Sequence, residues 1–480
     1  MDNTVLEEKR TIEHQWSTSP PYEASLDRIT DSKLISGCDL RLLVDASENY
    51  PAWLEAIESA EDRIYFESYI IHDDEQGKKF ADALIKKAGE GVSVKLIYDW
   101  LGGFGKTSRR YWRRLRNGGV EVRCYNPPKL TDPFSILSRD HRKIMTVDGK
   151  IAFVSGLCVG QDWVGNPAKD MPAWRDTGVQ VKGAAVVDVE RAFANIWQEI
   201  GEPLDISKLP KYEDYDEEGD VSLRIVDSVP SSSNIYRVDQ FLAAQVQQTM
   251  WLADAYFIGI PSYLQSIKDV AEDGVDVRIL LPRSTDIAIV RDTTRTTYRD
   301  LLEAGVRIFE WNGSMMHAKT AVFDGKYSRV GSTNLNVASW FGNYELDVFV
   351  EDEMFGRKMQ EMYSRDLENS TEIVLADTER KRFHMRKRSE KKNRTRGGSV
   401  ANATVGAINT ATSISSVITQ KAPLGKAESR LLFLAGSLML LIALLFIFFP
   451  RAASIPLVVI LLIMAFSTLV KAARHYGRRQ

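Results

Sequence analysis

The stretch Asp140-His141-Arg142-Lys143-Ile144-Met145-Thr146-Val147-Asp148-Gly149 returns later in the chain as Met316-His317-Ala318-Lys319-Thr320-Ala321-Val322-Phe323-Asp324-Gly325. Both copies sit where a strand is expected. In an extended segment residues two apart share a face, which puts His141 beside Lys143 and His317 beside Lys319. An imidazole next to an ammonium suits an anionic substrate. A chance His-x-Lys on a solvated strand would explain one copy but not two. From any given histidine the His-x-Lys-x4-Asp pattern arises by chance well under ~1% of the time, and the chain holds 6 histidines. The two motifs, His141, Lys143 and Asp148 with His317, Lys319 and Asp324, therefore define the candidate catalytic set. Within it, strand parity turns Asp148 and Asp324 away from the site and suggests anchors of the turns that follow.

Outward from the motifs, the same order of pieces occurs twice. A strand over 63–71, a helix over 80–87 and a strand over 91–98 are matched by 251–258, 263–270 and 274–281. Next, Arg114 to Gly119 leads into a strand over 120–125, as Leu301 to Gly305 leads into one over 306–311. Gly91, Gly119, Gly274 and Gly305 read as helix stops before strands. The alternation predicts an α/β fold of two tandem domains, each a mainly parallel sheet flanked by helices, related by a pseudo-twofold. The expected divisions are a tail at 1–40, a first domain at 41–210 and a second at 220–375. The acidic segment 211–219 connects the two domains; beyond them lie a basic tract with a flexible linker at 376–430 and a membrane hairpin at 431–471.

Composition narrows the class. A chain of 480 residues, 44% hydrophobic and 26% charged, supports two to three cored domains. The net charge of −3 carries no global polyanion signal. The 3 cysteines, Cys38, Cys124 and Cys158, show neither a disulfide framework nor a zinc spacing, which fits a reducing compartment. The opening residues lack the apolar core of a signal peptide. The runs Leu431 to Phe449 and Ile455 to Val470 are nearly uninterrupted apolar stretches joined by a short loop, as expected of two membrane spans. Basic residues from Arg380 to Arg396 and from Lys471 to Arg479 place both flanks inside, predicting a multi-pass protein whose large N-terminal region faces the cytoplasm, as in a bacterial inner membrane. Gly397 to Gly425 is linker-like. The run Lys106 to Arg116 interleaves bases with Tyr111 and Trp112; a solvated helix face is its commoner reading, a phosphate grip its alternative.

The paired motifs resemble the HKD motif of the phospholipase D superfamily, over roughly Leu42 to Asn369. After the second copy comes Gly331-Ser332-Thr333-Asn334, similar to the Gly-Ser-x-Asn that follows the motif in that family; the first copy reads Ser155-Gly156-Leu157-Cys158, so Cys158 stands where an amide is expected. The phrases Ile97-Tyr98-Asp99-Trp100-Leu101-Gly102 and Trp174-Arg175-Asp176-Thr177-Gly178 look like the cardiolipin synthase branch. The resemblance implies that a carboxylate beyond each motif, Asp176 and Glu345, positions a histidine. It also implies that the spans commonly precede the catalytic halves, whereas here they follow. By analogy His141 is the nucleophile and His317 the general acid, with the reverse assignment open.

The chemistry stands beside the resemblance. A phosphodiester is an anion with a poor leaving group, so its cleavage needs a nucleophile, a proton donor and positive charge on the non-bridging oxygens. Two histidines can serve the first two needs. Lys143 and Lys319 neutralise the phosphate, Ser332 and Asn334 donate to it, and Asp176 and Glu345 fix the imidazole tautomers. No carboxylate cluster has metal-ligand spacing, so neither metal nor cofactor is expected. The expected activity is a membrane-bound phosphatidyltransferase joining two phosphatidylglycerols with release of glycerol. A phospholipid hydrolase, a membrane-anchored nuclease and a lipid-binding scaffold are the alternatives. The expected partners are a phospholipid and the bilayer, without nucleic acid.

Overall fold

A computed structural model describes residues 20–375 except 129–137, 206, 208 and 231, with isolated positions at 437, 440, 441, 444 and 455. The first half carries strands β1 (Ile35–Val44), β2 (Arg63–Ser68), β3 (Ser93–Asp99), β4 (Glu121–Tyr125), β5 (Lys143–Val147), β6 (Ile151–Ser155) and β7 (Thr177–Lys182). The second carries β8 (Val221–Ser228), β9 (Thr249–Ala253), β10 (Asp276–Pro282), β11 (Arg307–Trp311), β12 (Thr320–Phe323), β13 (Tyr327–Gly331), β14 (Glu345–Glu351) and β15 (Ser370–Ile373). They form one sheet in the order β4-β3-β2-β5-β6-β7-β1-β8-β14-β13-β12-β9-β10-β11-β15. Outward from the β1–β8 seam each strand meets its equivalent in the other half, with β15 as an added edge. The duplication read from the sequence is therefore an inverted repeat within a continuous sheet.

The expectation of a mainly parallel sheet is corrected. Parallel pairing is confined to β2-β3-β4 and β9-β10-β11, where a helix intervenes between consecutive strands. The strands around the motifs pair antiparallel: β2 with β5, β5 with β6, β6 with β7, and likewise β9, β12, β13 and β14. The physical reason is the Asp-Gly that ends each motif. Asp148 and Gly149 lie at φ 54° and 67°, Asp324 and Gly325 at 50° and 63°, and Lys150 N–H and Lys326 N–H close the turns onto Val147 and Phe323 at 2.9 and 3.1 Å. Two positive-φ residues in the turn match the twist of a hairpin. The Asp148 carboxylate also accepts the backbone N–H groups of Glu61, Asp62 and Arg63 at 2.8–2.9 Å. Asp324 does the same for Gln247, Gln248 and Thr249 at 2.7–2.9 Å. Both aspartates are turn anchors, as parity suggests, and stand away from the histidines.

Helix stops fall where the spacing predicts, with positive φ at Gly91, Gly119, Gly274 and Gly305. The core runs across the seam. Helix Val186–Glu199 lays Val189, Phe193 and Ile196 into one cluster with Val179 and Val181, and helix Glu353–Glu368 adds Phe355, Met359 and Met362 beside Leu346 and Val348. Each such fully buried chain contributes about 1.5–3 kcal/mol, so a shared core locks the halves into fixed register. Residues 20–40, within the stretch expected as a tail, hold part of the fold. Helix Pro20–Thr30 packs Tyr22 and Leu26 into the second half's core, and the buried Arg224 guanidinium meets Glu23 and Asp27 at 2.6 and 2.9 Å. Among the described residues no helix is long and apolar enough to cross a membrane. The basic tract, linker and hairpin expected at 376–471 lie outside the described residues, apart from the isolated positions.

Candidate active site

The two motif histidines stand two and three residues before β5 and β12, in segments that pair with the opposite half. His141 N–H donates to Tyr344 O at 2.9 Å and Tyr344 N–H to Arg139 O at 2.8 Å; His317 N–H donates to Arg175 O at 2.7 Å and Arg175 N–H to Met315 O at 2.9 Å. These bridges make the site a joint product of both halves. Parity holds as predicted: Lys143 Nζ and Lys319 Nζ each fold back to donate to the carbonyl of the histidine two residues earlier. His141, Lys143, His317 and Lys319 are all buried.

The carboxylates are crossed. His141 Nδ1–H donates to Glu345 of the second half, 2.9 and 3.0 Å from its two oxygens. His317 Nδ1–H donates to Asp176 of the first half at 2.6 Å. Each imidazole thus takes its tautomer from a carboxylate of the opposite half, leaving Nε2 as the basic nitrogen. Both carboxylates are fully buried.

The surroundings of the two pairs differ. Asp176 also accepts Trp163 Nε1–H at 3.0 Å and Thr177 N–H at 2.8 Å. It lies so close to Gly156 that a Cβ there would come 2.2 Å from Asp176 Oδ1. Gly156 occupies the place of Ser332, whose hydroxyl in the second half donates to Glu345 Oε2 at 2.6 Å; Asn343 Nδ2–H adds a bond to Glu345 Oε1 at 3.2 Å. Ser332, expected to donate to phosphate, is therefore committed to the carboxylate. Asn334 is buried with its side-chain oxygen unpartnered among the described residues. Cys158 is buried, and burial pushes its thiol up.

Charge follows geometry. Burial, reinforced by the Lys319 ammonium 3.0 Å from Nδ1, pulls His317 down to about 4 against the attraction of Asp176. Burial also pulls His141 below its ordinary value, against Glu345. Burial would raise both carboxylates, but the opposing charges and hydrogen bonds of their partners prevail, holding Asp176 at about 2 and Glu345 below its usual range. Near neutral pH the second motif therefore rests as neutral His317 on ionised Asp176. Burial brings the Lys319 ammonium down to about 8.

Aromatic rings complete the walls. Tyr69 contacts His141 with ring centroids 4.9 Å apart, and Lys143 Nζ lies 5.2 Å from the Tyr69 ring. His317 is boxed by Trp163 and Trp174 at 5.5 Å and by Tyr256 at 6.0 Å. The sequence reading missed these rings. Tyr69 and Tyr256 do lie just beyond the equivalent strands β2 and β9, so the repeat carried a signal that could have found them.

The family described as cardiolipin synthase, PLD-like domain, matches residues 53–161 and 239–367, one segment in each half. The cardiolipin synthase of Alkalihalophilus pseudofirmus is 33% identical over 341 residues, covering 70% of this chain and 67% of the relative. That of a Geobacillus species is 32% identical over 375 residues, covering 77% and 73%. Among solved structures, the phosphatidylserine synthase of Haemophilus influenzae superposes with a TM-score of 0.56 at 16% identity, covering 73% of this chain and 91% of that one, a likeness of fold. With two matched segments and a crossed histidine site between them, the chain belongs to the cardiolipin synthase family of proteins built on phospholipase D-like domains.

Proposed function

We propose that the protein transfers a phosphatidyl group from one phosphatidylglycerol to the terminal hydroxyl of another, forming cardiolipin and glycerol through a phosphatidyl-histidine at His317. The observation that carries this reading is the crossed pair of buried histidines, each with its own carboxylate, flanked by two lysines. His317 Nε2 attacks phosphorus as the bond to the glycerol oxygen breaks, and His141, protonated when the negative charge of the incoming phosphate offsets the burial that lowers this imidazole, gives that oxygen its proton. Glycerol leaves. The hydroxyl of a second phosphatidylglycerol then attacks phosphorus, passes its proton to His141 and releases His317 as the P–N bond breaks. Lys143 and Lys319 balance the phosphate charge, with the amide of Asn334 available to a non-bridging oxygen.

This assignment reverses the one drawn by analogy from the sequence. What supports it is the environment: the cation 3.0 Å from Nδ1 of His317 and its tighter aromatic enclosure favour a neutral imidazole there. His141, flanked by both oxygens of Glu345, is better placed to hold a proton. Asp148 and Asp324 act through the turns they anchor. Residues 431–471 are proposed as a two-span anchor with both flanks on the cytoplasmic side, holding the site beside its lipid.

The test is incubation of the full chain in mixed micelles with phosphatidylglycerol and, separately, with single-stranded DNA, without added metal. Cardiolipin with equimolar glycerol is the expected result. Phosphatidic acid alone would convert the transferase into a hydrolase, and nucleotide release would overturn the lipid substrate.

A further inference from the structure

Two apolar tips rise at equivalent points of the repeat, directly after the parallel strands β3 and β10. After β3, Leu101 and Phe104 are 44% and 66% exposed; after β10, Ile287 and Ile289 are 44% and 66% exposed. Large apolar side chains this open, two at each of two related strand-to-helix turns, are costly in water unless something covers them. Both tips adjoin the site. The first begins at Asp99, whose carboxylate accepts the N–H of Asp140, the neighbour of His141, and a Cβ at Gly102 would meet the carbonyl of Tyr69, the ring against His141. The second is tied through Asp286, which accepts the hydroxyl of Tyr256, the ring near His317, at 2.8 Å. Val337, 51% exposed, joins the second tip beside Asn336, whose amide holds the Tyr256 carbonyl.

The exposed charge beside the first tip is basic. The helix Arg109–Asn117 follows Phe104 closely and turns Tyr111, Trp112 and Leu115 inward, with Trp112 stacked on Tyr98 at 3.7 Å. Lys106, Arg109, Arg110 and Arg113 are left exposed and make no ion pair among the described residues. A nucleic-acid platform needs its aromatics outward for base stacking; here they are core. Two exposed apolar tips, the first flanked by unpaired basic side chains, suit instead a bilayer with anionic headgroups, the apolar residues entering the acyl boundary and the arginines meeting phosphates.

We infer that Leu101, Phe104, Ile287 and Ile289, with the basic face of helix Arg109–Asn117, form a bilayer-docking rim that seats the mouth of the site on an anionic lipid surface. This rests on the phosphatidyl-transfer reading and adds to it how a lipid passes from bilayer to site: the headgroup enters between the tips while its acyl chains stay in the membrane. It is distinct from the anchor proposed at 431–471, which would tether the chain without orienting the site.

The test uses the full chain in nanodiscs, with F104C and I289C separately carrying an environment-sensitive dye and the labelled unsubstituted chain as background. Lipids spin-labelled on the acyl chain should quench both dyes at least twofold in discs containing phosphatidylglycerol, and less in discs of phosphatidylcholine alone. Replacing Arg109, Arg110 and Arg113 together by glutamine should remove that difference. Quenching at neither position, or at only one, overturns the two-tip rim; equal quenching in both disc types overturns the anionic preference. The readout does not depend on turnover. If the unlabelled chain makes no cardiolipin while both dyes are quenched, the transferase reading fails and the docking surface stands.

Discussion

Asp176 and Glu345 stand at matching points of the two halves, yet they are held by different means. Asp176 is wedged against Gly156 and bonded to an indole and a backbone N–H, with little freedom to move. Glu345, one methylene longer, is steadied by the hydroxyl of Ser332 and the amide of Asn343. The histidines they serve differ in step: His317 has a cation against its ring and three aromatic neighbours, whereas Tyr69 is the ring beside His141. The proposed division of labour, attack at His317 and proton transfer at His141, rests on these differences between matching positions.

The strongest way to break this comparison is to neutralise each carboxylate. Asp176→Asn should slow formation of the phosphatidyl-enzyme about 10⁴-fold, by analogy with the loss of tautomer control in a catalytic triad. Glu345→Gln, acting on the proton donor, should cost about 10²-fold. Single-turnover kinetics separates the two, and equal losses would erase the proposed division of roles.

The bridging positions differ as sharply in stability. Arg175 is buried, with Asp366 at 2.8 and 2.9 Å and Asp45 at 3.3 Å. Its counterpart Tyr344 sends its hydroxyl to exposed Glu199 at 2.7 Å. Arg175→Ala leaves buried carboxylate unpaired and should cost about 3–5 kcal/mol in denaturant unfolding. Tyr344→Phe should cost roughly 1 kcal/mol or less. A small loss at Arg175 would mean that the shared core and the backbone pairing hold the halves together without its ion pairs.

Smaller changes test the cradles. The Cβ of Gly156→Ala must displace Asp176, and a shift near 1 Å should cost about 10²-fold in kcat. Ser332→Ala removes one of several bonds to Glu345 and should cost about tenfold or less. The reverse order would show that Glu345 holds the more exacting position. The gentlest effect is on pH dependence. Lys319 loses its proton as pH rises through about 8, so kcat/KM should halve near that pH and fall beyond it. Lys319→Arg should move that limb upward, because guanidinium stays charged.

Much of this was legible in the sequence, for identifiable reasons. The repeat, the helix stops and the His-Lys parity rest on local periodicity and backbone preference, which the chain carries residue by residue. The antiparallel hairpins were legible too, since Asp148-Gly149 and Asp324-Gly325 are hairpin signals; alternating strands and helices obscured them. The crossing of Asp176 to His317 and of Glu345 to His141 had no local trace, because it depends on which backbone segments meet across the seam. The bond from Ser332 to Glu345 had no local trace for the same reason: the two meet through the pairing of β13 with β14. The helix Pro20–Thr30 was hidden because its apolar residues answer a surface of the second half, far along the chain.

The most direct measurement is to quench the full chain during turnover of radiolabelled phosphatidylglycerol and map the covalent adduct by peptide sequencing. The expected adduct is a single phosphatidyl group on His317. It should be lost in His317→Ala and, in His141→Ala, form again from a phosphatidyl p-nitrophenol substrate whose leaving group needs no proton. An adduct on His141 in the unsubstituted chain, or none on either histidine during active turnover, would contradict the account.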